Sequence, residues 1–190
     1  MVRGGDLAEA SGASEGIGRL KVPYFGYGSN LCLPRLRGRV PGVQPIERAC
    51  LDGYELLWHK RSTDGSGKCS ISPSVGKPLV VYGVLFQIPE EEKHLLDKAE
   101  GLGFGYEERS VLVTAAEGRT EAVTYVATST YVDDALRPYR WYKDIVISGA
   151  EAFDLPPDYI ATLRSIVAIQ DPNAERASQN RAAQPCAGSA

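Results

Sequence analysis

The segment YFGYGSNL (residues 24–31) joins an aromatic, apolar run to the small residues Gly-Ser-Asn. A strand that ends at Tyr27, followed by a helix that begins near Asn30, would leave the backbone N–H groups of residues 28–31 without intrahelical partners. Gly28 has no Cβ, so a ligand can approach the backbone closely there. Because such amides attract a carboxylate or a developing oxyanion, the segment is a candidate anion-binding loop.

The same residues allow a simpler interpretation. Gly-Ser-Asn is also typical of an ordinary turn, in which the Asn30 side chain caps the following helix and satisfies its free amides. The spacing alone leaves both interpretations open.

Glu100 is the candidate acid/base group. Pro89, the acidic residues after it and Gly101 predict a helix that ends at Glu100. The negative end of the helix dipole and the like charge of Asp97, one turn earlier, would both favour proton uptake by the Glu100 carboxylate. The alternative is a solvated surface glutamate.

The sequence contains parts of two other catalytic motifs, but the surrounding elements that each motif requires are not predicted. The segment SGASEGIGRL (residues 11–20), with Tyr139 and Lys143, resembles a short-chain dehydrogenase pattern, but no buried strand precedes its glycines. Ser29 lacks the G-x-S-x-G context of a serine hydrolase, and nothing in the sequence places His94 and Asp97 against it. We therefore expect neither activity.

The order of predicted elements indicates an α+β fold. Strand patterns cover residues 21–29, 48–61 with a turn at Asp52-Gly53, 69–74, 78–88 and a hairpin around Glu117-Gly118. Helix patterns cover residues 31–40, 89–103, 139–153 and 156–169. Strands paired in hairpins with grouped helices predict a small, largely antiparallel barrel or sheet with flanking helices. We expect a flexible arm at 1–20, one domain at 21–170 and a flexible tail at 171–190.

Composition makes several functions and sites improbable. The net charge of −3 and the lack of a basic block argue against nucleic-acid binding. The densest basic cluster, Arg35, Arg37 and Arg39, indicates a solvated face or an anion-facing edge. No apolar run approaches a membrane span. Four cysteines without metal-ligand spacing, and two histidines, make a zinc site improbable, and free thiols fit a reducing, cytoplasmic compartment.

Four ordered segments resemble the γ-glutamylcyclotransferase family. These are YFGYGSNL, SISPSVGKPLVVYGVLF, LLDKAEG and WYKDIVISGAEAFDLPPDY, and together they span roughly residues 22–165. Lys98 and Ala99 depart from the family's usual residues in the third segment, and Gly26 stands where an alanine is frequent. The last segment favours the long-form members over the glutathione-specific branch.

The resemblance implies a cofactor-free enzyme without a metal, which converts a small γ-glutamyl substrate to 5-oxoproline and a free amine or amino acid. It implies Glu100 as the acid/base and Tyr142 as a substrate contact, although the residues around Tyr142 also fit a buried helix face. The implied γ-glutamyl-binding residues are Tyr27, Gly28, Ser29, Asn30 and Leu31. Arg35 could neutralise a substrate carboxylate, but it is left out of the predicted site.

Two further functions remain open at this point. One is an enzyme that removes a γ-glutamyl protecting group in a biosynthetic pathway, and the other is a non-catalytic domain of the same fold that binds γ-glutamyl-like ligands. Glu100 argues against the second, because a pure binder needs no base. The sequence leaves a homodimer open and gives no reason to expect a nucleic-acid or membrane partner.

Overall fold

Seven strands and five α-helices follow one another along residues 20–182 of the computed structural model, which also describes Cys186. The strands are β1 (Lys21–Gly26), β2 (Gln44–Asp52), β3 (Tyr54–Arg61), β4 (Gly67–Pro73), β5 (Val80–Pro89), β6 (Tyr106–Ala115) and β7 (Gly118–Ala127). The helices are α1 (Leu33–Arg39), α2 (Lys93–Glu100), α3 (Arg140–Ala152), α4 (Pro157–Ser165) and α5 (Ala174–Ala182). The predicted N-terminal arm lies outside the described residues except for Leu20.

Five strands form a closed barrel in the order β1-β5-β2-β6-β7. Neighbouring strands are antiparallel except where β1 and β7 meet in a parallel bridge between Tyr24 and Val123. The long apolar strand β5 lies between β1 and β2 and is buried along most of its length, as its composition predicts. The predicted α+β class with a largely antiparallel barrel is confirmed.

The remaining two strands, β3 and β4, form a separate hairpin outside the barrel. Gly53 makes the turn into β3 with a positive φ of 76°, a conformation that glycine adopts without a steric penalty. This β3–β4 hairpin contributes Lys60 and Lys68 to the lining of the candidate site, together with residues of the barrel strands β6 and β7.

Helix α3 packs against the chain segment that follows β1. Trp141, Tyr142 and Val146 are buried on its inner face. Gly149 brings its backbone so close to Leu31 that a Cβ at this position would lie 2.6 Å from the Leu31 carbonyl carbon. The small side chain therefore allows the helix and the segment after β1 to make direct backbone contact.

The expectation of four free thiols is wrong for two of them. Cys32, directly before α1, forms a disulfide with Cys186, across a sequence separation of 154 residues. Cys50 and Cys69 are free. Sequence spacing carries no information on such a pairing, because it depends on where the chain terminus lies in the fold.

The structure also differs from the expected flexible C-terminal tail, because residues 174–182 form α5. Asp171 anchors this segment: its carboxylate accepts a hydrogen bond from Trp141 Nε1 at 2.8 Å and is paired with Arg176. Hydrogen bonds from the Arg176 guanidinium hold the pKa of Asp171 well below its usual range. A polar sequence is thus ordered by one charged anchor and by the disulfide that follows it.

We predict that loss of the disulfide destabilises the protein. A cross-link that closes so long a loop restricts the unfolded chain, so Cys186→Ser should lower the free energy of unfolding by about 2–4 kcal/mol. Urea unfolding followed by circular dichroism measures this change. Cys50→Ser, at a half-buried free thiol, is the matched control and should stay within about 0.5 kcal/mol of the parent. Equal unfolding midpoints for the parent with and without reductant would contradict the prediction.

Candidate active site

A cleft of about 190 Å³ lies where the segment after β1, helices α1 to α3 and the β3–β4 hairpin meet. Five of the seven predicted site residues line it: Tyr27, Ser29, Asn30, Glu100 and Tyr142. They come from three segments that are far apart in sequence. Gly28 and Leu31 are buried beside the cleft and do not line it.

Residues Gly28–Leu31 form one turn of 3₁₀ helix directly after β1. Tyr27 precedes the turn in an extended conformation, and no side chain caps its first amides. The alternative interpretation, in which Asn30 caps a helix, is wrong because its side chain is directed to other residues. The turn therefore has the uncapped geometry that an anion-binding loop requires.

Gly28 has a structural role that differs from the expected one. Its φ is +61°, and a Cβ at this position would lie 2.8 Å from Cys69 Cβ. Glycine is needed here because of this conformation and because the turn packs directly against β4. Leu31 fixes the other side of the turn, since its side chain is fully buried against α3.

Glu100 is held by a hydrogen-bond network that involves the predicted loop. Asn30 Nδ2 donates to Glu100 Oε1 at 2.9 Å, and Arg39 Nη1 donates to the same oxygen at 2.8 Å. Arg39 also donates to Asn30 Oδ1, and Asn30 donates to the Tyr24 hydroxyl at 2.6 Å. Only 13% of the Glu100 side chain is exposed, so this carboxylate is not the solvated surface group of the alternative interpretation.

The sequence led us to expect that the negative charge of Asp97 favours proton uptake by Glu100, but the geometry does not favour this effect. Asp97 forms an ion pair with Lys93 and accepts a hydrogen bond from the Tyr125 hydroxyl, so its charge is compensated. Burial, and then this bond to Asp97, raise the pKa of Tyr125 far above its usual range, which keeps the phenol neutral. The group that faces Glu100 directly is instead the Arg39 cation.

Five buried tyrosines line the cleft: Tyr24, Tyr27, Tyr106, Tyr125 and Tyr142. The Tyr142 hydroxyl accepts a hydrogen bond from the Cys69 N–H at 3.1 Å, and the Tyr106 hydroxyl donates to the Cys69 carbonyl at 2.8 Å. Tyr27 donates to the Tyr125 carbonyl. Burial raises the pKa of Tyr27, Tyr106 and Tyr142 well above 10, so all three are neutral. Through Cys69, Tyr106 and Tyr142 hold the β3–β4 hairpin against the cleft, whereas Tyr27 is bonded to β7.

The cleft is strongly cationic, a property that the predicted site did not include. Arg35, Arg39, Lys60 and Lys68 line it, whereas Glu100 is the one carboxylate among its described lining residues. Burial, together with the nearby Arg39, lowers the pKa of Arg35 to about 10, so the guanidinium stays charged at neutral pH. Arg35 and Arg39 are four residues apart on α1 and therefore share one face of the helix, and this spacing was the sequence signal that could have predicted both as cleft residues.

The other catalytic patterns are not assembled in the described residues. His94 is exposed on α2, and Asp97 is engaged by Lys93, so no triad forms with Ser29. Lys143 donates to the backbone carbonyl of Ile166. Residues 11–19 lie outside the described part. Among residues 20–182 and Cys186, no group of three or more His, Cys, Asp or Glu side chains is placed to hold a metal ion.

No helix in the described part of the chain is long and apolar enough to cross a membrane.

The chain is similar to γ-glutamylcyclotransferases. It matches the model of the AIG2-like family over residues 80–163. It is 29% identical to a γ-glutamylcyclotransferase of Bos taurus and 28% identical to one of Homo sapiens, over 75% of this chain and 77% of each relative. A solved structure named γ-glutamyl cyclotransferase superposes with a TM-score of 0.75 and 26% identity, and the match covers 84% of this chain and 97% of that chain.

These comparisons confirm the resemblance predicted from the four sequence segments. They also agree with the predicted enzyme class, because the two named relatives and the solved structure carry the name of that enzyme.

We predict that Gly28→Ala destabilises the protein more than Gly53→Ala. Both glycines have a positive φ, which costs about 1–2 kcal/mol for a residue with a Cβ. Only at Gly28 would the new methyl group also collide, with Cys69, whereas a Cβ at Gly53 meets nothing within 4 Å. The collision should add about 1–3 kcal/mol, measured as the difference between the two variants in urea unfolding. Equal losses would show that the turn does not pack against β4 as described.

Proposed function

We propose that this chain is a γ-glutamyl cyclotransferase, in which the α-amine of a γ-glutamyl group attacks its own γ-carbonyl. The products are 5-oxoproline and a free amine or amino acid. The observation that carries the proposal is the direct hydrogen bond between Asn30, on the uncapped turn, and Glu100, at the end of α2. This bond supports the proposal because it joins the segment that we expect to bind the substrate to the carboxylate that we expect to act as the base.

The substrate must first be folded onto itself. Ser29 and Asn30, the two residues of the turn that line the cleft, would bind the γ-glutamyl part through their backbone and side chains, with Tyr27 and Tyr142 bounding it. The Arg35 guanidinium would attract the α-carboxylate. Well-oriented intramolecular reactions gain on the order of 7–11 kcal/mol over bimolecular ones, so this orientation is the main contribution to rate.

Glu100 would then carry the proton. A free α-amino group has a pKa of roughly 7.7–8.0, so the amine is largely protonated at neutral pH and must lose a proton before it attacks. The Glu100 carboxylate accepts that proton, and it returns one to the departing nitrogen when the γ-amide bond breaks. Asn30 and Arg39 orient the carboxylate by binding one of its oxygens, which leaves the other available. Such a group typically contributes roughly 10²–10⁴-fold.

Finer properties stay predictions of the same proposal. We expect no cofactor, since the reaction needs no redox step or activated carrier. A part in glutathione metabolism is an expectation from the resemblance. A cytoplasmic location is an expectation from the predicted free thiols, of which Cys50 and Cys69 are free, and a homodimer stays open.

We predict that Glu100→Gln abolishes turnover and keeps substrate affinity. The amide is isosteric and can still accept hydrogen bonds from Asn30 and Arg39, but it cannot take up a proton. The value of kcat should fall by about 10²–10⁴-fold, whereas binding of γ-glutamyl-alanine measured by calorimetry should change little. Glu117→Gln, at an exposed position in the β6–β7 turn, is the matched control and should retain full activity. An active Glu100→Gln variant would reject the mechanism.

The activity of the unmodified protein provides a separate test of the proposed function. Incubation with γ-glutamyl-alanine, γ-glutamyl-lysine and glutathione should release 5-oxoproline from at least one of them, detected by mass spectrometry. Binding without product from all three, at high enzyme concentration, would instead indicate a γ-glutamyl-binding domain.

A further inference from the structure

Lys60 is held in the cleft by the β3–β4 hairpin, near the end of β3. Its Nζ lies 4.5 Å from the centre of the Tyr106 ring, and the side chain is half-buried. A Cβ on Gly105, whose φ is +130°, would lie 3.0 Å from Lys60 Cε, so glycine leaves the space that the lysine side chain occupies. The ammonium is therefore positioned by packing, unlike that of a mobile surface lysine.

The ion pairs of the cleft leave Lys60 without a carboxylate partner. Arg39 is paired with Glu100 at 2.8 Å, and Lys68 is paired with Asp64 at 2.7 Å. Within residues 20–182, neither Lys60 nor Arg35 forms an ion pair. The Nε atom of Arg35 is also buried without a hydrogen-bond partner among the described residues. The Lys60 ammonium lies over the Tyr106 and Tyr131 rings, which offset part of its desolvation, but neither cation has a carboxylate partner within residues 20–182, so an anionic group of a ligand would stabilise each of them.

The two free cations lie on different elements, which separates their roles. Arg35 is on α1, the helix that follows the 3₁₀ turn whose residues Ser29 and Asn30 line the cleft. It therefore belongs with the part of the cleft assigned to the γ-glutamyl group. Lys60 is on the β3–β4 hairpin and lines the same cleft as Glu100. Lys60 thus shares the cleft with the group that would protonate the leaving nitrogen.

We propose that Lys60 is a specificity-determining residue that binds a carboxylate on the leaving group. In a γ-glutamyl amino acid, one carbon separates this carboxylate from the nitrogen that departs. A cation near Glu100 is therefore well placed for it, whereas a neutral amine offers it nothing and a cationic amine is repelled. The substrate class is then γ-glutamyl conjugates whose leaving group is anionic. This inference rests on the proposed cyclotransferase function and selects among its substrates.

The test uses two substrates that differ only in the carboxylate: γ-glutamyl-alanine and γ-glutamyl-ethylamide. The parent should prefer the first in kcat/KM by on the order of tenfold or more, since a charge-assisted contact to a substrate is worth about one to two powers of ten. Lys60→Met should lower kcat/KM for γ-glutamyl-alanine at least tenfold more than for the ethylamide, chiefly through KM. Lys60→Arg should retain the preference because it keeps the charge.

Two controls show whether an effect is specific to Lys60. Lys77→Met removes an exposed lysine in the loop before β5 and should leave the preference unchanged, and thermal unfolding shows whether each variant is folded. Equal use of both substrates by the parent, or an equal loss for both in Lys60→Met, would overturn the role of Lys60 and leave the cyclotransferase proposal intact. Release of 5-oxoproline by the parent from glutathione or γ-glutamyl-lysine but from neither of these two substrates would overturn this inference alone, whereas no release from any of the four would overturn the proposed function as well.

Discussion

The largely buried carboxylate of Glu100 is the constraint on which the site depends. An acidic side chain that is 13% exposed needs polar partners, and Asn30 and Arg39 supply them through one shared oxygen. This requirement joins the turn after β1, helix α1 and the end of α2, which are far apart in sequence. Gly101 makes it possible, because its left-handed conformation (φ 68°) ends α2 immediately after Glu100. The same contacts that stabilise the charge also orient it.

The turn that meets this carboxylate is fixed from several sides. Close packing at Gly28 places it against β4, and Gly149 allows α3 to touch it from the other side. The disulfide at Cys32, the next residue after the turn, ties it to the C-terminal segment. Because a binding loop of backbone amides works only if its geometry is preorganised, this packing matters as much as the groups that face the ligand. Residues that never touch a ligand, such as Leu31, are therefore part of the site's construction.

Local signals explain which parts of the fold and the site could be predicted. Pro89 and Gly101 delimit the segment that contains α2, and alternation around Gly118 gives the β6–β7 hairpin, because these patterns act over a few residues. The family-like segments indicated Glu100 and Asn30. Lys60, Lys68 and Arg39 were missed as site residues because nothing local distinguishes an inward-facing cation from a solvated one. Helix α5 was missed for a similar reason, since its polar sequence is stabilised by the distant partners of Asp171.

The charges of the cleft also define what a ligand must look like. Arg39 and Lys68 are neutralised by protein carboxylates, whereas Arg35 and Lys60 have none within residues 20–182. Glu100, paired through one oxygen, is the described lining group able to receive an ammonium. Under the proposed function, one acceptor for a cation and two cations without a carboxylate partner would suit a substrate with an α-ammonium and two carboxylates. The β3–β4 hairpin supplies Lys60, whereas Arg35, Arg39 and Asn30 come from α1 and the 3₁₀ turn. Changes in the hairpin could therefore alter which leaving group is accepted without disturbing the groups proposed for the reaction itself.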